Sequence, residues 1–162
     1  MDGGSAGYVL FRVADEMFGL PIERVQSIIR YERGTPVPRA PEVVEGVINL
    51  RGRIVPVVDL VKRLGRGEFE PGPTARIVVA EGAAGLVGLA VDAASEVVRI
   101  DPASVQPAPA AALSAETADA FEGVTEYEGT LVILLDLDQA VPRAEYASAV
   151  EAAAIEEGGT RG

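Results

Sequence analysis

Neither cysteine nor histidine occurs anywhere in this 162-residue chain. Without thiols there is no disulfide framework and no thiolate nucleophile, a composition that suits a reducing, cytosolic address. Without imidazole, the commonest general base and the commonest metal ligand are both missing. Tryptophan is absent too and the aromatic share is 5%, so a core must be assembled from Val, Leu, Ile and Ala. No window holds the roughly 18 consecutive apolar residues of a membrane span. The opening "MDGGSAG" has neither the basic nor the apolar region of a secretory signal.

What is present is ample for folding. Apolar residues make up 48% of the chain, and a chain of this length buries roughly 70% of its extended surface. Charge is uneven. Residues 1–66 hold 10 Lys and Arg against 8 Asp and Glu, whereas residues 67–162 hold 4 against 17. A chain of net charge −11 repels phosphate backbones and anionic membrane surfaces, so neither nucleic acid nor direct membrane insertion is expected. All the basic residues except Lys62 are Arg, which favours planar, fork-like contacts with a partner.

Along the chain the pattern reads almost wholly as short strands. "YVLFRVA" (8–14) alternates, with Val9, Phe11 and Val13 on one face, and "MFGL" follows an acidic turn. "VQSIIRY" (25–31) precedes Gly34 and two prolines. "VVEGVINL" leads through Arg51-Gly52-Arg53 into "RIVPVVDL", where Pro56 cannot donate to a ladder and calls for a free edge or a bulge. "DLVKRLG" (59–65) reads as a short helix with Asp59 as N-cap and Gly65 as its stop. "ARIVVAE" (75–81) and "LVGLAVD" (86–92) flank Gly82 to Gly85 as a hairpin, followed by "SEVVRI" (95–100). Residues 105–121, with two prolines and an alanine run, read as an ordered loop or short helix. Two further strands lie around Glu128-Gly129, and the uninterrupted "LVILL" predicts a central strand buried on both faces. From about Ala144 the composition turns to Ala and Glu, so 146–162 reads as a helical or disordered tail. Residues 152–162 are expected to be dispensable for stability. Many short strands between turn signals point to compact all-β barrels rather than a βαβ sheet. No repeat of fixed period stands out.

The inventory for catalysis is nearly empty. Asp136 and Asp138 stand at strand spacing and can in principle form a carboxylate pair, but such residues more often end a strand or cap a helix. Tyr127 between Glu126 and Glu128 reads as a strand end. The glycines from 82 to 88 join two strands and lack the helix N-terminus of a phosphate loop. No enzyme activity, cofactor or resident metal is expected.

Recognition of other proteins remains, and here the segment "GVINLRGRIVPVVDL" (46–60) is informative. It resembles the CheW family of bacterial chemotaxis coupling proteins. The likeness extends upstream through "FRVADEMFGLPIERVQSIIR" (11–30) and downstream through "VGLAVDAASEVVRIDPASVQPAP" (87–109) and "EGTLVILLDLDQAV" (128–141). These segments are collinear and cover about residues 8–145, leaving 1–7 as a flexible start and 146–162 as the tail. The resemblance implies two small five-stranded barrels of the Src-homology kind, forming two subdomains packed about a shared core. It also implies a non-catalytic adaptor between the cytoplasmic tip of chemoreceptors and the regulatory domain of a CheA-type histidine kinase. Such a protein is cytoplasmic and recruited to membrane receptor arrays. That kinase domain is itself CheW-like, but a start at Met1 and the lack of kinase motifs favour a free-standing adaptor. The other reading is a regulatory barrel module that binds some other protein or a small ligand.

Taken alone, Arg51-Gly52 is a solvated turn. Under the resemblance, Asn49, Leu50, Arg51 and Gly52 align with a motif at the receptor- and kinase-binding surface, with Val25, Ile28, Val47 and Ile54 as apolar positions beside it. Arg53 is a secondary candidate. Arg66, in a glycine-flanked loop outside the motif, is expected to tolerate substitution.

Overall fold

In the computed structural model, residues 6–83, 85–107 and 118–141 are described. Ten strands occupy most of them: β1 (Ala6–Val13), β2 (Glu16–Pro21), β3 (Val25–Arg30), β4 (Val44–Leu50), β5 (Arg53–Asp59), β6 (Arg76–Gly82), β7 (Gly85–Val91), β8 (Ala93–Ile100), β9 (Phe121–Tyr127) and β10 (Thr130–Leu135). Two single-turn helices, α1 (Leu60–Arg63) and α2 (Leu137–Ala140), follow β5 and β10. The fold is all-β, as the strand-and-turn pattern predicts.

The strands form two five-stranded sheets, in the orders β8-β1-β2-β10-β9 and β3-β6-β7-β5-β4. Each sheet curls about its own apolar cluster, to which all five of its strands contribute. In the first, Leu10, Val98, Ile100, Val132 and Leu134 are buried, with Met17 and Tyr127 against them. In the second, Ile48, Val55, Val57, Ile77, Val79 and Ala90 are buried, with Ile29 against them. A larger cluster, including Phe11, Phe18, Leu20, Val58, Leu60, Val78, Leu89 and Leu135, lies between the sheets and is the shared core. Strands β6 and β7 serve both clusters because they are apolar on both faces. Gly88 of β7 makes room for this, since a Cβ there would lie 2.7 Å from Ile77 Cγ2.

The two sheets share one arrangement of strands, through which the chain is threaded in circularly permuted order. In each, an antiparallel pair meets a parallel join, β2 with β10 and β7 with β5, and then an antiparallel hairpin. The hairpins match in detail. Arg51-Gly52 and Glu128-Gly129 form the same tight turn, with φ of 53° and 86° against 48° and 82°. The same spacing then leads to Asp59-Leu60 and Asp136-Leu137, where each Asp caps its helix through the backbone N–H of Lys62 or Gln139. Outside these short signatures the residues diverge, so the repeat shows in strand order while remaining invisible as a period.

Several local expectations hold. Gly65 stops α1 at φ 68°, and Gly82 pairs with Gly85 across the β6–β7 turn. Pro56 pairs with Val47 on one side, while pairing to β7 begins only at Val57, so its missing donor faces an unpaired stretch. The "LVILL" strand is a partial correction. It is internal to its sheet, with Val132, Leu134 and Leu135 buried, but Ile133 is only half-buried and Leu131 is 61% exposed. In the 105–121 segment, Gln106 bridges Val124 and a tight turn spans Ala118–Ala120; residues 108–117 lie outside the described residues, as do 1–5 and the tail from 142.

Arginines fasten the two halves together. Arg24 donates to the Glu81 carbonyl and to Asp138 Oδ1, both at 2.9 Å. Arg63 reaches the carbonyls of Ala140 at 2.6 Å and Gln139 at 3.1 Å. Arg66 forms a two-pronged ion pair with Glu16 at 2.9 and 3.0 Å and also donates to the Leu64 carbonyl. Arg66, expected from its glycine-flanked loop to tolerate substitution, thus has partners on β2 and on its own turn that the sequence does not show.

Candidate protein-binding surface

The β4–β5 hairpin presents most of the motif. Leu50 pairs with Arg53, leaving Arg51 and Gly52 as a two-residue loop. Positive φ at both positions is the primed turn whose twist matches that of the flanking strands. Gly52 adopts this freely, and its backbone N–H donates to Asn49 Oδ1 at 2.9 Å. Arg51 has no such licence, because a left-handed backbone crowds Cβ of any L-residue. Its side chain is exposed, and among the described residues no acceptor holds its guanidinium. The turn accounts for its backbone, as it does for Glu128 in the twin hairpin, while its five donors are left for a partner.

Alternation sorts the remaining residues. Asn49 stands opposite Ile54, and Val47 opposite Pro56, so Val47, Asn49 and Ile54 share the outer face. Val47 and Ile54 are half-buried and Asn49 is exposed. Val47 is anchored by paired backbone hydrogen bonds to Thr35 at 2.8 and 2.9 Å. Leu50 points the other way and packs against the cluster inside its own sheet. Arg53 is exposed beside the tip.

Val25 and Ile28 are not brought to the hairpin by strand pairing. They lie on β3, at the other end of the sheet order from β4. Val25 packs against the shared core, which accounts for its apolar character. Ile28 is 42% exposed on the outer face of β3, where burial does not account for it. Three exposed apolar side chains escaped sequence reasoning: Ile22, 42% exposed, Leu131, hidden in a run of buried neighbours, and Val97, 57% exposed beside the register shift between β1 and β8.

The carboxylates considered for chemistry have structural partners. Asp136 caps α2, while Asp138 accepts from Arg24 and from the Ala83 backbone N–H. Glu128 accepts a hydrogen bond from Tyr127, which holds that phenol's pKa above its ordinary value. Burial is the main cause of the raised pKa of Asp59, outweighing the amides that hydrogen-bond to its carboxylate. Among the described residues no three acidic side chains converge as metal ligands do.

Comparison with known proteins accords with this architecture. The profile of the CheW-like domain matches residues 7–145. The chain is 38% identical over 145 residues to the chemotaxis protein CheW of Rhizobium meliloti (strain 1021), covering 90% of this chain and 93% of that one. It is 35% identical over 102 residues to protein FrzA of Myxococcus xanthus, covering 63% and 64%. The crystal structure of scaffolding protein TtCheW from Thermoanaerobacter tengcongensis superposes with a TM-score of 0.78 at 34% identity, covering 88% of this chain and 92% of that one. With two matching sheets about a shared core and a family match spanning nearly all of them, the chain belongs to the CheW-like family.

Proposed function

We propose that this protein is a non-catalytic adaptor that couples chemoreceptors to a CheA-type histidine kinase, in bacterial chemotaxis or a related motility signalling pathway. Family membership across both sheets supports the class. The observation that carries the site is Arg51, held in a left-handed backbone at an exposed tip with no partner among the described residues. Gly52 and Asn49 fix the turn, so Arg51 meets an incoming carboxylate or carbonyl with little ordering left to do. Val47 and Ile54 supply apolar surface on the same hairpin, and Ile28 contributes from β3. Leu50 supports the hairpin from beneath as a packing residue, and Val25 is a packing residue of the shared core. Residues 8–145 form the adaptor as two barrel subdomains, working in the cytoplasm at membrane receptor arrays. No helix among the described residues is long and apolar enough to cross a membrane.

The test is titration calorimetry of the intact chain against a receptor-tip fragment and, separately, an isolated kinase regulatory domain. The wild type binds both, and Arg51→Asp weakens at least one by roughly thirtyfold or more while the fold survives, as loss of an interfacial charge contact implies. Arg99→Asp, on exposed strand surface in the other sheet, is the control and binds normally. A wild-type chain that binds neither partner overturns the adaptor reading.

A further inference from the structure

On the second sheet, Arg30 of β3 stands directly opposite Arg76 of β6. Residues so paired share a face, and like charges in that position repel. Nothing within the fold relieves this, for neither guanidinium has a carboxylate partner among the described residues. Arg76 is one of only four basic residues in a half that carries 17 acidic ones, yet its nearest counterpart on the adjoining strand is another cation. Its Nη1 is held by the carbonyls of Ala75 at 2.8 Å and Pro73 at 3.4 Å. That fixes the fork in place and leaves its other N–H groups without an acceptor among the described residues. Both arginines border an open cleft of about 360 Å³, lined also by Tyr31, Gly72, Pro73 and Ala75.

Two guanidiniums on one cleft are complementary to an oxyanion seated between them, which converts their repulsion into two charge-assisted hydrogen-bonding forks. The cleft is open to solvent rather than closed around a small molecule. Its β3 side is also the last strand of its sheet, paired to β6 alone, so an extended chain has room to run alongside Arg30. We propose that the Arg30–Arg76 cleft receives an acidic side chain from an extended segment of a partner protein. This contact is separate from the β4–β5 tip and does not depend on it.

The probe is a short capped peptide of alternating glycine and glutamate, titrated into the intact protein. The Arg30 and Arg76 side-chain Nε–Hε signals are followed by NMR, with the glutamine counterpart and inorganic phosphate as comparisons. Saturable shifts of both signals with the glutamate peptide, and none with its glutamine form, are expected. Arg30→Gln and Arg76→Gln each raise the dissociation constant about tenfold, and Arg99→Gln leaves it unchanged. Arg30→Gln does not melt lower than wild type, since it removes a repulsion without a side-chain hydrogen bond among the described residues, whereas Arg76→Gln also gives up the carbonyl contacts of its Nη1. Absence of saturable shifts, or undiminished binding by both variants, overturns the proposal. Equal shifts with phosphate at the same concentration also overturn it, because the cleft then takes free oxyanions without regard to a peptide.

Discussion

Arg51→Asn separates what the hairpin needs from what a partner needs. The left-handed backbone of Arg51, at φ 53°, costs an ordinary L-residue roughly 1–2 kcal/mol, a penalty that asparagine largely escapes. Asn-Gly is also the favoured pair for this primed turn. The wild-type side chain is exposed and makes no hydrogen bond or ion pair among the described residues, so little is lost when it goes. The substitution is expected to stabilise the fold by about 0.5–1 kcal/mol, raising the thermal midpoint by about 1–4 °C for a chain of this size. Affinity for receptor tip or kinase regulatory domain moves the opposite way, falling at least about tenfold as the charge-assisted donors disappear. Thermal melts and calorimetric titrations on one preparation read both quantities. A variant that melts several degrees lower shows that Arg51 is held structurally. One that is stabilised but binds both partners normally shows that the tip is not a recognition element.

Gly88→Ala places a methyl 2.7 Å from Ile77 Cγ2 between two buried strands, and overpacking of this kind lowers stability by about 1–3 kcal/mol; an unchanged denaturation midpoint contradicts it. Arg66→Ala and Glu16→Ala, combined in a double-mutant cycle, are expected to show coupling of up to about 1 kcal/mol that shrinks with added salt, because this pair is only partly buried. Asp136→Ala removes the α2 cap at a loss of about 0.5–1 kcal/mol in chemical denaturation; a larger loss implies a role beyond capping. Asp59→Asn keeps a capping acceptor but abolishes a carboxyl whose pKa burial has raised. Since the folded wild type holds that proton more tightly than the unfolded chain, its stability falls as pH climbs from the unfolded to the folded pKa. The variant therefore gains on wild type across that acidic window, and a difference that stays flat with pH refutes burial as the cause.

Features governed by neighbours in sequence were legible from the chain alone. The Asp59 cap, the Gly65 stop and the β6–β7 turn each depend on a few consecutive residues with definite backbone demands. Arg51-Gly52 was readable as a turn, though only the fold exposes the positive φ that makes an arginine there costly. Features governed by distant partners were not legible. Arg66 looks idle until Glu16, fifty positions earlier, arrives beside it, and Asp138 resembles half of a carboxylate dyad until Arg24 claims it. Leu131 carries no mark distinguishing it from the buried residues that follow. Arg30 and Arg76 acquire meaning only through the register of β3 against β6.

The order in which the strands are threaded also governs how the chain folds as it is made. All five strands of the second sheet lie within one continuous span, from Val25 to Val91, so that sheet can close as soon as its last strand has emerged from the ribosome. The first sheet is split around it. Its opening hairpin is finished by Pro21, yet β2 has no second neighbour until β10 appears at Thr130. During synthesis the exposed flank of β2 is thus an unpaired edge beside a nascent apolar surface, the situation most inviting to association with the wrong chain. Pauses or stops in translation between the two sheets' completion are consequently more hazardous than those after β10.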